Sequence, residues 1–124
     1  MSSNDKTFPK PDVAFDVFQK LDFRVALVES AEMAEGTRMP SRKLVLDLGH
    51  LGKRVSIAQF ALVPQEELVG RKVIACCNLG TRRIGKYESQ ALTLGTPHPN
   101  NPPGQAQAIP LYAHPDATLG DMVF

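Results

Sequence analysis

Tryptophan is absent from these 124 residues, and aromatic side chains make up only 6% of them. Surfaces that take single-stranded nucleic acid by serial base stacking need such rings, so that mode of binding is disfavoured. Cysteine occurs only twice, as the adjacent pair Cys76 and Cys77. Neighbours on a strand point to opposite faces, which excludes a disulfide stapling distant parts of the fold, and a buried, reduced role is expected. The sequence contains neither an apolar run of bilayer-spanning length nor a charged-then-apolar leader. A cytoplasmic protein without membrane insertion is the resulting expectation. His50, His98 and His114 stand far apart, without the cysteine or second histidine that metal spacing demands, and no nucleophile is paired with a base. No catalytic residue, metal site or cofactor is therefore expected.

Net charge is low as well, only +1. Its distribution says more. Residues 38–86 hold ten Lys/Arg and three Asp/Glu, a local +7, whereas residues 1–37 and 87–124 each carry −3. A cationic centre between acidic flanks focuses field on one region, which suits a polyanion. Lys43, Lys53, Arg54 and Arg71 are read as general charge that steers an anion toward that region, not as specific readers.

A chain of this length makes one domain around one core. Residues 1–10 are polar and are expected to form a disordered tail, leaving 11–124 as the domain. Asp12 stands where it would cap a short helix, with Ala14, Val17, Phe18 and Leu21 on one stripe. Alternating apolar runs follow at 23–30, 43–48, 54–60 and 71–79, parted by segments rich in Gly, Pro and small polar residues. Pro64, Glu66, Glu67 and Gly70 are start and stop signals for one short helix between the third and fourth runs. That order is the plan of an OB barrel. The fold expected is all-β, a five-stranded OB-fold barrel with a short helix between strands 3 and 4, an N-terminal helix and short C-terminal strands at 108–113 and 122–124. The stretch TPHPNNPPG at 96–104, with four prolines, is expected to be irregular.

Residues 71–95, RKVIACCNLGTRRIGKYESQALTLG, carry the clearest chemical signal. A hairpin here would display Asn78, Arg82, Arg83 and Ser89 together. Planar guanidiniums pair with phosphate oxygens while amide and hydroxyl fix orientation, so this set predicts a grip on a nucleic-acid backbone. GTRRIGK, within the same stretch, satisfies the spacing of a phosphate loop. Tyr87 occupies the place of the magnesium-binding hydroxyl, however, and a strand pattern follows where a helix is needed, which rejects nucleotide hydrolysis.

Several segments in order resemble the tRNA-binding domain of the CsaA type, an OB fold related to the C-terminal tRNA-binding domain of some methionyl-tRNA synthetases. They are KLDFRV at 20–25, KLVLDLG at 43–49, SIAQF at 56–60, PQEELVGRKVIACCNL at 64–79, RRI at 82–84 and ESQALTLG at 88–95, with LGDMVF closing the chain. The resemblance implies a homodimer that binds tRNA without aminoacylating it, with dimerisation extensions at both ends of the domain. By position it implies Ser56 and Gln59 on strand three, Asn78 ending strand four, Arg82 and Arg83 in the following loop, and Ser89 opening strand five as ligand-facing groups. Ala26 departs from the family pattern, in which a Gly often follows the RV pair.

Two further readings stay open at this point. One is a chaperone linked to protein export, in which the same dimer groove takes unfolded polypeptide; the resemblance and the near-neutral charge both motivate it. The other is an accessory subunit that docks on a synthetase.

Overall fold

Strand β1 (Phe23–Ala34) is long enough to serve two neighbours. From Phe23 to Leu27 it pairs antiparallel with β4 (Lys72–Cys76), and from Leu27 to Ala34 with β2 (Ser41–Asp47). The change of partner coincides with a β-bulge at Glu29, where the register slips between Val28 and Ser30 and the strand bends. The structure, a computed structural model, describes residues 8–124, so most of the tail expected at 1–10 lies outside the described residues.

From β2 a single 3-10 turn (Gly49–Leu51) leads to β3 (Lys53–Ala58), which pairs antiparallel with β2. The one-turn helix α2 (Gln65–Leu68) then crosses to β4. A small hairpin follows, β5 (Arg82–Ile84) and β6 (Tyr87–Ser89), and then β7 (Leu92–Thr93) returns to pair with β4. The curled main sheet runs β3-β2-β1-β4-β7, an all-β, OB-like arrangement. Its helix falls between strands three and four, as the sequence pattern required. The fifth strand expected at 88–95 is broken at Gln90 and Ala91, giving β6 on one side and β7 on the other.

The core follows the alternation. Leu44, Leu46 and Leu48 are all fully buried, and Ala26, Val28, Val73, Ala75, Leu68 and Phe60 close around them. Strand β1 gives the core Ala26 and Val28 before its bulge and Ala31 beyond it, the bulge changing which parity faces inward, while Phe23 sits half-buried with its ring 5.9 Å from that of Phe18. Pro64 acts as the N-cap of α2 rather than its first residue, and Gly70 beyond the end takes φ +84, a conformation that disfavours any side chain.

Three local expectations are corrected. Helix α1 (Phe15–Gln19) starts after Ala14, not at a cap by Asp12, and none of its residues is buried. Gly95–Pro97, which runs into the proline-rich stretch, forms strand β8 against β9 (Ala108–Pro110); as an edge strand it tolerates the missing N–H of Pro97. The C-terminal strands shrink to β9 and two isolated bridges, Val73 with Tyr112 and Arg24 with Met122. Around the second bridge, Gly120 N donates to Val25 O (2.8 Å) and Val123 N to Phe23 O (2.8 Å), so residues 120–123 cover the edge of β1 that β2 leaves open. Among the described residues no helix is long and apolar enough to cross a membrane.

The barrel closes between β3 and the β6–β7 segment, where side chains rather than a backbone ladder make the join. One backbone bond is present, Gln90 N to Val55 O at 2.7 Å. The rest come from side chains: Val55 N donates to Gln90 Oε1 (2.8 Å), Ile57 N to Ser89 Oγ (3.0 Å), and Ser56 Oγ to Ala91 O (2.9 Å), with Ser56 and Thr93 hydroxyls 2.8 Å apart. The ESQALT segment is thus the clasp of the barrel.

Candidate nucleic-acid interface

That clasp changes the reading of two proposed ligand residues. Ser56 and Ser89 are 1% and 7% exposed, and both hydroxyls are engaged across the join. Neither is displayed to a ligand. Each satisfies a polar group of an edge that would otherwise be buried without a partner.

Asn78 is at the surface, but its amide also has internal work. Its Oδ1 accepts from Asp22 N (2.8 Å) and its Nδ2 donates to Lys20 O (2.6 Å), clamping the link between α1 and β1 onto the end of β4. Among the residues assigned to steering, Arg54 reaches over the clasp to Cys77 O (2.6 Å) and Gln90 O (3.3 Å). Lys53 pairs with Glu29 at 2.8 Å, and this hydrogen bond raises its pKa above the ordinary lysine value. Arg71 lies 5.5 Å over the ring of Tyr112, whose hydroxyl donates to Glu67 O (2.7 Å). Lys43 is half-buried on β2, opposite Glu32 of β1. Two cations outside the expected set are structural too. Arg42 donates to Phe60 O, Val63 O and Ala31 O, and Lys72 to Pro115 O and Ala117 O.

Much of the central positive charge therefore holds the fold together. Of the rest, Arg38 and Arg82 line a cleft of about 490 Å³. Its walls are the end of β3 with Gln59 and Phe60, the β5 residues Arg82 and Ile84, residues 92–95, and a rim at Arg38 and Met39. The hairpin register decides which arginine faces it. Arg82 pairs with Ser89 and Ile84 with Tyr87, so these share the inward face, while Arg83 pairs with Glu88 on the other. The double arginine is divided: Arg82 lines the cleft, and Arg83 is exposed beside a carboxylate. The two lie within a strand, not in the loop expected for them.

Two contacts fix that hairpin in place. Tyr87 Oη accepts from Glu35 N (3.1 Å), tying the hairpin to the loop between β1 and β2. At the tip, Gly85 has φ +60 and lies so near Gly36 that a Cβ would come within 3.1 Å of its carbonyl oxygen. Only glycine allows both the turn and the approach. The loop thus held carries Arg38 to the rim opposite Arg82. Arg38 belongs to the basic centre at 38–86, but residue type does not single it out, because no strand register reaches it; only contacts far apart in sequence bring it to the cleft. After Lys86 the chain enters β6, not a helix, so GTRRIGK supplies β5 and the hairpin turn. The Cys77 thiol is buried, and burial pushes its pKa up, which leaves it mostly protonated and a poor nucleophile.

No family model matches the chain. Solved structures do. The chaperone CsaA of Bacillus anthracis superposes with a TM-score of 0.79 over 92% of this chain and 100% of its own, at 27% identity. The chain is CsaA-like in fold. A MetRS-related protein of Pyrococcus horikoshii aligns with a TM-score of 0.77 at 25% identity, over 92% of this chain and 99% of the other. Among curated sequences, the methionine–tRNA ligase of Methanothrix thermoacetophila is 38% identical over 93 residues. The match takes in 74% of this chain but only 14% of the ligase, so the CsaA-like chain corresponds to a small part of a far longer enzyme.

Proposed function

We propose that this domain binds folded RNA of the tRNA class without catalysing a reaction on it. The backbone of the RNA lies across the lip formed by Arg38 and Arg82, with Arg83 beside it and Lys43 adding long-range attraction. One observation carries the reading: Arg38 and Arg82 frame the cleft and make no side-chain hydrogen bond or ion pair among the described residues, whereas Arg42, Arg54, Lys53 and Lys72 are all engaged internally. Similarity to methionine–tRNA ligases supports tRNA as the partner. A cytoplasmic setting accompanies that role.

Asn78 and the clasp serines take part indirectly, by holding the hairpin and the strand that display the arginines. The test is tRNA binding by fluorescence anisotropy over a series of salt concentrations. Arg82→Ala with Arg83→Ala weakens binding and reduces the slope of log K against log salt by about 1–2, since each phosphate contact contributes roughly 0.7–0.9. A slope equal to wild type removes this surface from consideration.

The domain works as a homodimer in this reading. Its support is an uncovered apolar face: α1 has no buried residue, Phe15 is 69% exposed, and Phe124 at the other end of the chain is 99% exposed. Two-fold pairing through α1 and the C-terminal segment would set two lips side by side for one tRNA. Light scattering that finds only monomer at micromolar concentration would refute the pairing.

The apolar floor of the cleft favours one second reading, an export-related chaperone that takes unfolded polypeptide there. Similarity to a protein described as a chaperone adds to it. Competition separates the two: displacement of tRNA by a reduced, unfolded substrate assigns one cleft to both, and binding of polypeptide alone defeats the RNA reading.

A further inference from the structure

Building on the RNA reading above, we infer that the cleft receives one unstacked nucleotide, its base inside and its phosphate on the arginine rim, with adenine preferred. Size is the first argument. About 490 Å³ lies in the range of sites for small ligands, roughly 300–1,000 Å³, and is far too small for a helical segment or a run of bases.

The lining is the second. Ile84, Leu92 and Leu94 present aliphatic surface, and Leu92 is 45% exposed, so apolar area is open to an entering planar group. No open aromatic platform competes for that part. Phe60 is only 2% exposed, and the Tyr87 hydroxyl is held by the Glu35 amide. Successive stacking needs several exposed rings in line, whereas one base needs only a slot of this kind.

Polar groups supply the third. Gln59 lines the cleft just past the end of β3, half-buried, with its backbone oxygen accepting from Ala108 N (2.9 Å). Its carboxamide makes no hydrogen bond among the described residues. An amide facing a largely apolar slot leaves a donor and an acceptor side by side, the pattern complementary to adenine N7 and N6. On the rim, Arg38 and Arg82 stand where the attached phosphate would emerge. The position is therefore suited to a folded RNA that extrudes a base, and the RNA's shape determines where that base is presented.

Fluorescence anisotropy with three RNA hairpins tests this: one fully paired, one with a single bulged adenosine, and one with a bulged uridine. Wild type binds both bulged hairpins more tightly than the paired one, and the adenosine bulge about tenfold more tightly than the uridine bulge, the size of base discrimination that a bidentate amide contact gives. Gln59→Leu brings the adenosine-to-uridine ratio to about one. Arg82→Ala weakens all three hairpins but keeps the ratio, as loss of a phosphate contact should. A thermal melt of each variant verifies folding, and Gln59→Asn, which shortens the same amide, gives an intermediate ratio. Equal binding of paired and bulged hairpins by wild type, or a ratio that survives Gln59→Leu, overturns the inference while leaving RNA binding by the surface intact. Failure of every hairpin and of tRNA to bind overturns both. Displacement of RNA by an apolar peptide, with no advantage from the bulge, assigns the slot to polypeptide and overturns the inference too.

Discussion

Replacing Ser89 with alanine separates a clasp from a ligand contact. The hydroxyl accepts from Ile57 N at 3.0 Å and donates to Ala91 O at 3.3 Å, inside a join that excludes water. Ala91 O keeps its stronger bond from Ser56 at 2.9 Å, so the main loss is the partner of a buried amide. An orphaned buried donor costs about 1–3 kcal/mol, and about 2 kcal/mol is the central figure. For 124 residues the unfolding entropy is roughly 0.26 kcal/mol per kelvin, from about 2.1 cal/mol/K per residue, so the melting temperature falls by about 8 °C. Calorimetry or circular dichroism reads the shift, and tRNA affinity is measured well below the transition. The expected pattern is a large fall in Tm with affinity little altered. A melt within about 2 °C of wild type, together with a large loss of affinity, would show that Ser89 contacts the ligand and that the clasp has been misread.

Gln107→Leu should destabilise by about 2–4 kcal/mol, read by urea unfolding. Gln107 is buried, accepts from Ala61 N and donates to Pro40 O and Gln105 O, and a leucine leaves the Ala61 amide unpaired. An unchanged midpoint would contradict that geometry. Gly120→Ala forces a side chain onto φ +85 and against the Leu48 carbonyl and the His50 ring; a loss of about 3 kcal/mol or more is expected, and a loss below about 1 kcal/mol would refute it. For Cys77, burial raises the pKa, so the folded state holds the thiol proton more tightly than the unfolded state does. Its contribution to stability is full below the unfolded thiol's pKa and diminishes as pH rises above it. Iodoacetamide at pH 8 should label Cys77 slowly in buffer and rapidly in urea, and equal rates would show that the thiol is open.

The plan of the barrel was legible because local signals agreed with it. Leu44, Leu46 and Leu48 alternate as a strand must, and Pro64, Glu66, Glu67 and Gly70 mark one turn of helix in the one place an OB topology requires. The site was legible only in outline. Ser56 and Ser89 carry the right chemistry for a ligand surface and equally for a barrel join, and residue type does not distinguish the two. What distinguishes them is the partner across 32 to 37 positions of sequence, which no local pattern encodes. Arg54, Lys72 and Arg42 mislead for a similar reason, since a cation reaching a distant carbonyl looks in sequence like any surface charge. The division of Arg82 from Arg83 needed only the hairpin register, and the period-two rule applied to strand, turn and strand would have found it.

A wall joined through hydroxyls and one carboxamide is the part of a barrel that breathes first, because separating it breaks a single amide-to-carbonyl bond between main chains. The amides of Val55 and Ile57 should then exchange hydrogen sooner than their neighbours in the ladder between β1 and β2. A guest in the adjoining hollow touches both flanks of that wall and stabilises its shut state by mass action, so occupancy and rigidity rise together.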